Sequence, residues 1–233
     1  MLSRSFLRLF PITSATAWIV TVITLLILWL TDGRPKYEVT SPDIAYISNI
    51  GAEYRTLFII GASITAAFFA VTLIIFIGYH RHVYNTATNI EQVTYRKPRT
   101  WADIISFIFG MISSAALVLL AIFDSERYDN AHWIFTMIFI FGAILCAIFN
   151  VVGISTSRAL RTRKKTSFIL KILFIIVTTG VVAAMLILMF SCASNDTTLT
   201  PQCNKVRSAS AVLEWSLAGL FFIFILTWIL DFS

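Results

Sequence analysis

Six stretches of the chain run for about the length of a bilayer crossing with very few charges, and the charged residues are gathered between them. A helix needs about 20 apolar residues to traverse a hydrocarbon core of about 30 Å. The runs that meet this are Ile12–Leu30, Leu57–Tyr79, Trp101–Phe123, Trp133–Ile154, Ser167–Phe190 and Ala209–Leu230, and none contains an internal proline. Each is continuously apolar and lacks a ten-residue alternation, which predicts helices and not a β-barrel. The first run is long for the apolar stretch of a signal peptide, and no small-x-small cleavage site follows it before Asp32-Gly33-Arg34. The expected architecture is all-α: a polytopic membrane protein, residues 1–233 forming one six-transmembrane-helix bundle.

Composition sharpens this picture. Hydrophobic residues make up 58% of the chain and charged ones 13%, against roughly 45–50% and 25% in soluble proteins; the mean hydropathy is +0.84. A soluble domain is excluded. With both termini cytoplasmic, the inner segments hold Arg4, Arg8, Arg81, Arg96, Lys97, Arg99, Arg158, Arg161, Arg163, Lys164, Lys165 and Lys171, 12 of the 18 basic residues. The outer segments hold Arg34, Lys36, Arg55, Arg127, Lys205 and Arg207 beside eight acids. This asymmetry follows the positive-inside rule and predicts N-in, C-in topology. It also gives the net charge of +6 a location, so nucleic acid is not an expected partner.

Cys192 and Cys203 then share one outer loop, where disulfides persist; a bridge is expected, with two unpaired thiols as the alternative. Cys146 reads as a small packing residue of the fourth run. The same outer loop carries an Asn195-Asp196-Thr197 sequon, close to the membrane. No internal repeat supports an inverted-repeat transporter. Small residues recur at four-residue spacing in Ala62 and Ala66, Gly110 and Ser114, Ala143 and Ala147, and Gly180 and Ala184, as expected where helix backbones approach closely. Lys97-Pro98 breaks the chain before the third run, and Thr100 with Asp103 has capping-box spacing. The segment from Thr31 to Arg55, with Pro35, Pro42, Gly33, Gly51 and three tyrosines, is expected to lie as an ordered loop over the outer mouth. No ring of acids or series of arginines lines a span, which weighs against an ion channel.

Glu214 is the strongest anomaly. It lies about five residues into the sixth run, roughly 8 Å along the helix, where an ionisable group must be paired, protonated or facing water. Two readings stay open: a polar site open to the outer leaflet, and a buried acid bonded to a neighbouring helix. Asn49, Asp124, Asp129 and His132 are its candidate companions at the outer mouth, with Asp43 and Glu53. A carboxylate beside a histidine can do acid–base work, yet there is no HExxH, no His-plus-Cys cluster and no P-loop. No catalytic residue, metal ligand or cofactor is therefore assigned. On the inner face Arg158, Arg161, Arg163, Lys164 and Lys165 crowd one loop, joined by Arg96, Lys97 and Arg99 in another. Each such charge contributes about 1 kcal/mol of attraction to anionic lipid. Inner-leaflet lipid is the expected partner; fixing topology alone is the competing role. His80-Arg81-His82 would add charge that depends on pH.

Two segments resemble the Frag/DRAM/Sfk family of six-helix membrane proteins. Ala45-Tyr46-Ile47-Ser48-Asn49-Ile50-Gly51-Ala52 is similar to its YISDxGA element, with Asn49 where the family usually has Asp. Ser210-Ala211-Val212-Leu213-Glu214-Trp215, running to Asp231-Phe232, is similar to its EW…DF final helix. A family histidine near the start of the fourth helix is matched by His132 or Tyr128. The Sfk branch looks nearest; it implies a non-enzymatic plasma-membrane protein tied to phosphoinositide 4-kinase recruitment and phospholipid asymmetry, hence a peripheral kinase complex as partner. Other branches imply GPI-anchor lipid remodelling in the secretory pathway, as enzyme or accessory factor, or autophagy modulation from lysosomal or vacuolar membrane. The sequence stops at Ser233, so the cytoplasmic tail of the family is expected to be absent or removed.

Overall fold

The computed structural model describes residues 3–37, 42–90, 98–156, 164–192 and 201–232. It is all-helical among those residues, in the order α1 (Arg4–Thr31), α2 (Ile47–Glu53), α3 (Arg55–Ile90), α4 (Pro98–Ile122), α5 (Asp129–Ser155), α6 (Lys165–Ser191) and α7 (Pro201–Asp231). All but α2 are long and apolar enough to cross a membrane. The six expected spans are present, each inside one helix except that α4 stops one residue before Phe123.

The ends differ from the apolar runs for physical reasons. Ser3 caps α1, its hydroxyl accepting from the Phe6 amide at 3.2 Å, so the helix begins eight residues before the predicted run and carries Arg4 and Arg8. A cap satisfies amides that the first turn leaves free. Its other end turns through Gly33 and Arg34, both at positive φ, with the Arg34 amide returning to the Trp29 carbonyl at 2.9 Å. The third run starts on Pro98, not at a Thr100 cap. Proline suits a first turn, where its missing N–H is not needed, and Thr100 is already helical. Likewise α7 starts at Pro201 and absorbs Lys205 and Arg207, which read as loop by charge.

Consecutive long helices pack side by side and α7 returns against α1, so the six close a ring in chain order. Short antiparallel connections favour such neighbours. Phe69, Phe76, Phe221, Phe224 and Trp228 fill the middle, mostly edge to face, the arrangement that aromatic quadrupoles prefer. Side-chain hydroxyls and indoles tie the helices across the interior. Ser14 donates to the Thr65 carbonyl at 2.8 Å, Trp18 to Ala218 at 2.9 Å, Ser106 to Cys146 at 2.8 Å and Ser113 to Phe139 at 2.9 Å. In hydrocarbon no water would satisfy these groups.

The outer surface is the reverse of a soluble one. Ile176, Ile187 and Phe190 of α6 are all more than 60% exposed, an apolar face that only lipid would cover. Three of the four small-residue pairs sit in helix contacts: Ala62, Ala66, Ala143 and Ala147 are buried, and a side chain on Gly110 would strike Leu73. The fourth does not, since a side chain on Gly180 would meet nothing within 4 Å. Cys146 is fully buried, as a packing residue should be.

Candidate functional site

Two polar clusters interrupt the apolar bundle, one at each end. At the loop end, the segment between α1 and α3 folds into α2 instead of a plain loop, and Glu214 of α7 seats it. The Glu214 carboxylate accepts the Ile47 amide at 2.7 Å and both the amide and the hydroxyl of Ser48. A helix leaves its first amides without partners, and here a residue 167 positions away in sequence supplies the acceptor. The next residue continues the seam, the Trp215 indole donating to the Ala45 carbonyl at 3.0 Å. Ile47, Ile50, Gly51 and Ala52 are buried beneath it, while Asn49 is half-buried on α2.

Above this seam Asp43 clasps the start of α7. Its amide donates to Asn204 Oδ1 at 3.0 Å and to Ser208 Oγ at 3.1 Å, and its carboxylate accepts from Asn204 at 2.7 Å and Lys36 at 2.9 Å. Those bonds, Lys36 first, hold the Asp43 carboxyl below its ordinary range. Close by, Cys192 and Cys203 form the expected disulfide, joining the end of α6 to the start of α7. Asn195 lies outside the described residues.

His132 and Asp124 serve a different junction. His132 is buried, and its Nδ1 lies 2.8 Å from the Leu120 carbonyl and 3.0 Å from that of Phe123. It therefore ties the first turn of α5 to the last turn of α4. Asp124 accepts from the Arg127 amide at 2.8 Å and guanidinium at 3.0 Å, with Arg55 Nε at 3.4 Å. Asp129 is exposed in the first turn of α5, where a negative charge suits the helix dipole. Glu214 thus meets α2, while His132 meets α4; the described contacts do not join them.

The Asp124 junction carries a pH prediction. Burial pushes its carboxyl up, but Arg127, and then Arg55, outweigh burial and hold it below the usual value. Its contribution is therefore complete above the unfolded Asp pKa of about 3.9 and is lost as pH falls through the lower folded value. Asp124→Asn should unfold more easily than the parent at pH 7, with the gap closing in acid below about pH 4. Tryptophan fluorescence during thermal unfolding at each pH reads this; a gap that stays constant with pH would discard the assignment.

At the terminal end, where α1 starts and α7 stops, Lys171 of α6 and Asp231 of α7 form an ion pair with neither side chain exposed. Lys171 also donates to Asn150 Oδ1 of α5 at 2.8 Å and lies 4.5 Å from the Trp228 ring centre. Ser167 donates to Asp231 Oδ1 at 2.8 Å. Lys164 donates to the Asp231 carbonyl at 2.6 Å and sits 5.8 Å from the Phe76 ring centre. Phe232 is fully buried against Phe76 and Tyr79. Three helices are pinned at one point.

Sequence reasoning misses this cluster. Lys164 was expected at the lipid surface and instead turns into the bundle, buried at 6% exposure; its amine reaches the free carbonyl at the end of α7, the group that attracts cations. Lys165 does face outward. Arg96, Lys97, Arg158, Arg161 and Arg163 lie outside the described residues, as do the side chains of Arg99, His80, Arg81 and His82. The signal for the cluster is present in sequence: Lys171 lies about one turn inside the fifth run and Asp231 directly follows the sixth at the same end, and intramembrane charges must find partners.

The four residues of the EW…DF pattern are thus the ones that carry both junctions, and the Tyr46-Ile47-Ser48 stretch is what Glu214 and Trp215 hold. Residues 6–233 match the family described as the Frag1/DRAM/Sfk1/Cwh43P N-terminal domain. The chain belongs to this family. Over 234 aligned residues it is 29% identical to Protein sfk1 of Schizosaccharomyces pombe, an alignment covering 98% of this chain and 64% of that protein. The chain therefore spans less than two thirds of that relative's length. No solved structure matches it. As a Frag1/DRAM/Sfk1 protein it is an integral membrane protein, with six long apolar helices among the described residues.

Proposed function

We propose that this Frag1/DRAM/Sfk1 protein is a non-enzymatic organiser of membrane lipid of the Sfk type, working at the plasma membrane with its terminal end in the cytosol. On this reading the basic loops at that end engage anionic inner-leaflet lipid and a peripheral phosphoinositide kinase complex, and the protein helps maintain phospholipid asymmetry. The observation that carries it is the similarity to fission yeast Protein sfk1 along 98% of this chain. The geometry supports it as well: Glu214, His132 and Asp124, the residues best suited to acid–base work, are each engaged in holding helix ends together.

The test uses the purified full chain in detergent with a short-chain phosphatidylinositol phosphate. Arg158, Arg161, Arg163 and Lys165 are changed together to Gln, leaving buried Lys164 in place. At about 1 kcal/mol per charge, affinity should fall by roughly two to three decades. Binding that is unchanged in well-folded protein would reject the lipid contact.

A further inference from the structure

The connector between α1 and α3 is fastened along α7. Asp43 bonds Asn204 and Ser208, Ala45 takes the Trp215 indole, and Ile47 meets Glu214. Asn204 and Ser208 stand at helical i, i+4 spacing, so one face of α7 presents both to the same Asp43 amide. This uppermost attachment therefore lasts only while the turns from Pro201 to Ser208 stay helical.

Those turns have little packing to hold them. None of residues 201–208 is buried, and the first buried side chain of α7 is Ser210. A helix end of this kind frays readily. The Cys192–Cys203 bridge acts at this point, joining the start of α7 to the end of α6 directly before Asn204. The two helices pack side by side, so α6 gives the bridge a fixed base. The two sulfurs differ in access: Cys192 is 7% exposed, whereas Cys203 is half-buried, so an incoming thiolate meets Cys203 first.

We infer that the Cys192–Cys203 bridge is a redox-sensitive latch: closed, it keeps the outer turns of α7 helical and the α1–α3 connector fastened, and its reduction by a dithiol releases both. One thiolate of the dithiol attacks Cys203 Sγ, and the Cys192 thiolate leaves. The second thiol resolves the mixed disulfide, so the dithiol ends as a disulfide, and two electrons and two protons pass to the protein. The latch stands apart from the basic loops at the terminal end, so either proposal can fail alone.

The experiment places the full chain in lipid nanodiscs, adds dithiothreitol and follows amide exchange by mass spectrometry. A bridge across a sequence separation of 11 restrains opening by up to roughly a hundredfold in the chain-entropy model. Exchange over 201–208 and 42–46 should rise by at least about tenfold, within that limit. Ile47–Glu53, seated by Glu214 deeper on α7, should rise less, and residues 218–231 should not change. Reoxidation should restore protection. Cys192→Ser with Cys203→Ser should match the reduced protein and ignore dithiothreitol. Asp43→Ala with the bridge intact should free 42–46 but leave 201–208 protected. Exchange over 201–208 and 42–46 that reduction leaves unchanged overturns the latch, as does a rise that spreads through 218–231. Protection that fails to return on reoxidation also overturns it. So does fast exchange over 201–208 in Asp43→Ala, because the connector and not the bridge would then hold those turns.

Discussion

Asp231→Ala should cost about 3–5 kcal/mol of stability, the range found when one partner of a buried ion pair is removed. Lys171 has no exposed side-chain surface, and without the carboxylate its charge would keep, among the described residues, Asn150 and the face of Trp228. Lys171→Ala should do comparable damage by stranding Asp231, although Ser167 and the nearby Lys164 would soften it. The informative variant is the pair. Replacing buried charges by apolar residues of similar volume is often neutral or stabilising, so Lys171→Met with Asp231→Leu should recover most of what either single change loses. Thermal unfolding in detergent, followed by tryptophan fluorescence, reads all three. A double variant as unstable as the singles would mean that the charges are kept for something other than their mutual attraction.

The contrast between this cluster and the spans shows what the sequence could convey. The spans depend on local composition, and Leu57–Tyr79 or Trp133–Ile154 is recognisable with no knowledge of any neighbour. The Lys171–Asp231 pair joins positions 60 residues apart. Its members looked ordinary singly, one as part of the basic inner flank and the other as the last residue of a helix. Lys164 misled for the same reason: a lysine beside four other basic residues reads as surface charge, and only the end of α7 explains why it turns inward. The short helix α2 was hidden differently. Seven residues bounded by turn-forming positions give too few periods for a helical pattern, and its formation depends on an acceptor brought from α7. By contrast, the four-residue spacing of small side chains was informative at three sites and empty at Gly180, because spacing alone does not say which face meets a neighbour.

Glu214→Gln should release α2 from the bundle without unfolding the ring. The carboxyl of Glu214 accepts from the Ile47 amide and from Ser48, and a buried donor left without its acceptor costs about 1–3 kcal/mol. A glutamine keeps one oxygen but points an N–H2 at donors that need an acceptor, so at least one of those bonds is lost. Loss of about 2 kcal/mol would speed amide exchange over Ile47–Glu53 roughly thirtyfold. The ring should persist, because the α1–α7 and α6–α7 seams are held elsewhere by Trp18 on the Ala218 carbonyl and by the Lys171–Asp231 pair. Trp215→Phe offers a graded comparison, since it removes the bond to Ala45 but keeps the acceptor for α2, and its effect should be smaller. Hydrogen exchange with mass spectrometry separates the outcomes: faster exchange confined to α2 and its flanks supports a local seat, whereas loss of protection across α7 would make Glu214 a keystone of the whole bundle. If exchange over α2 stayed at the parental rate, the carboxylate would not be what holds that helix in place, and its position in the membrane would need an explanation from ligand chemistry instead.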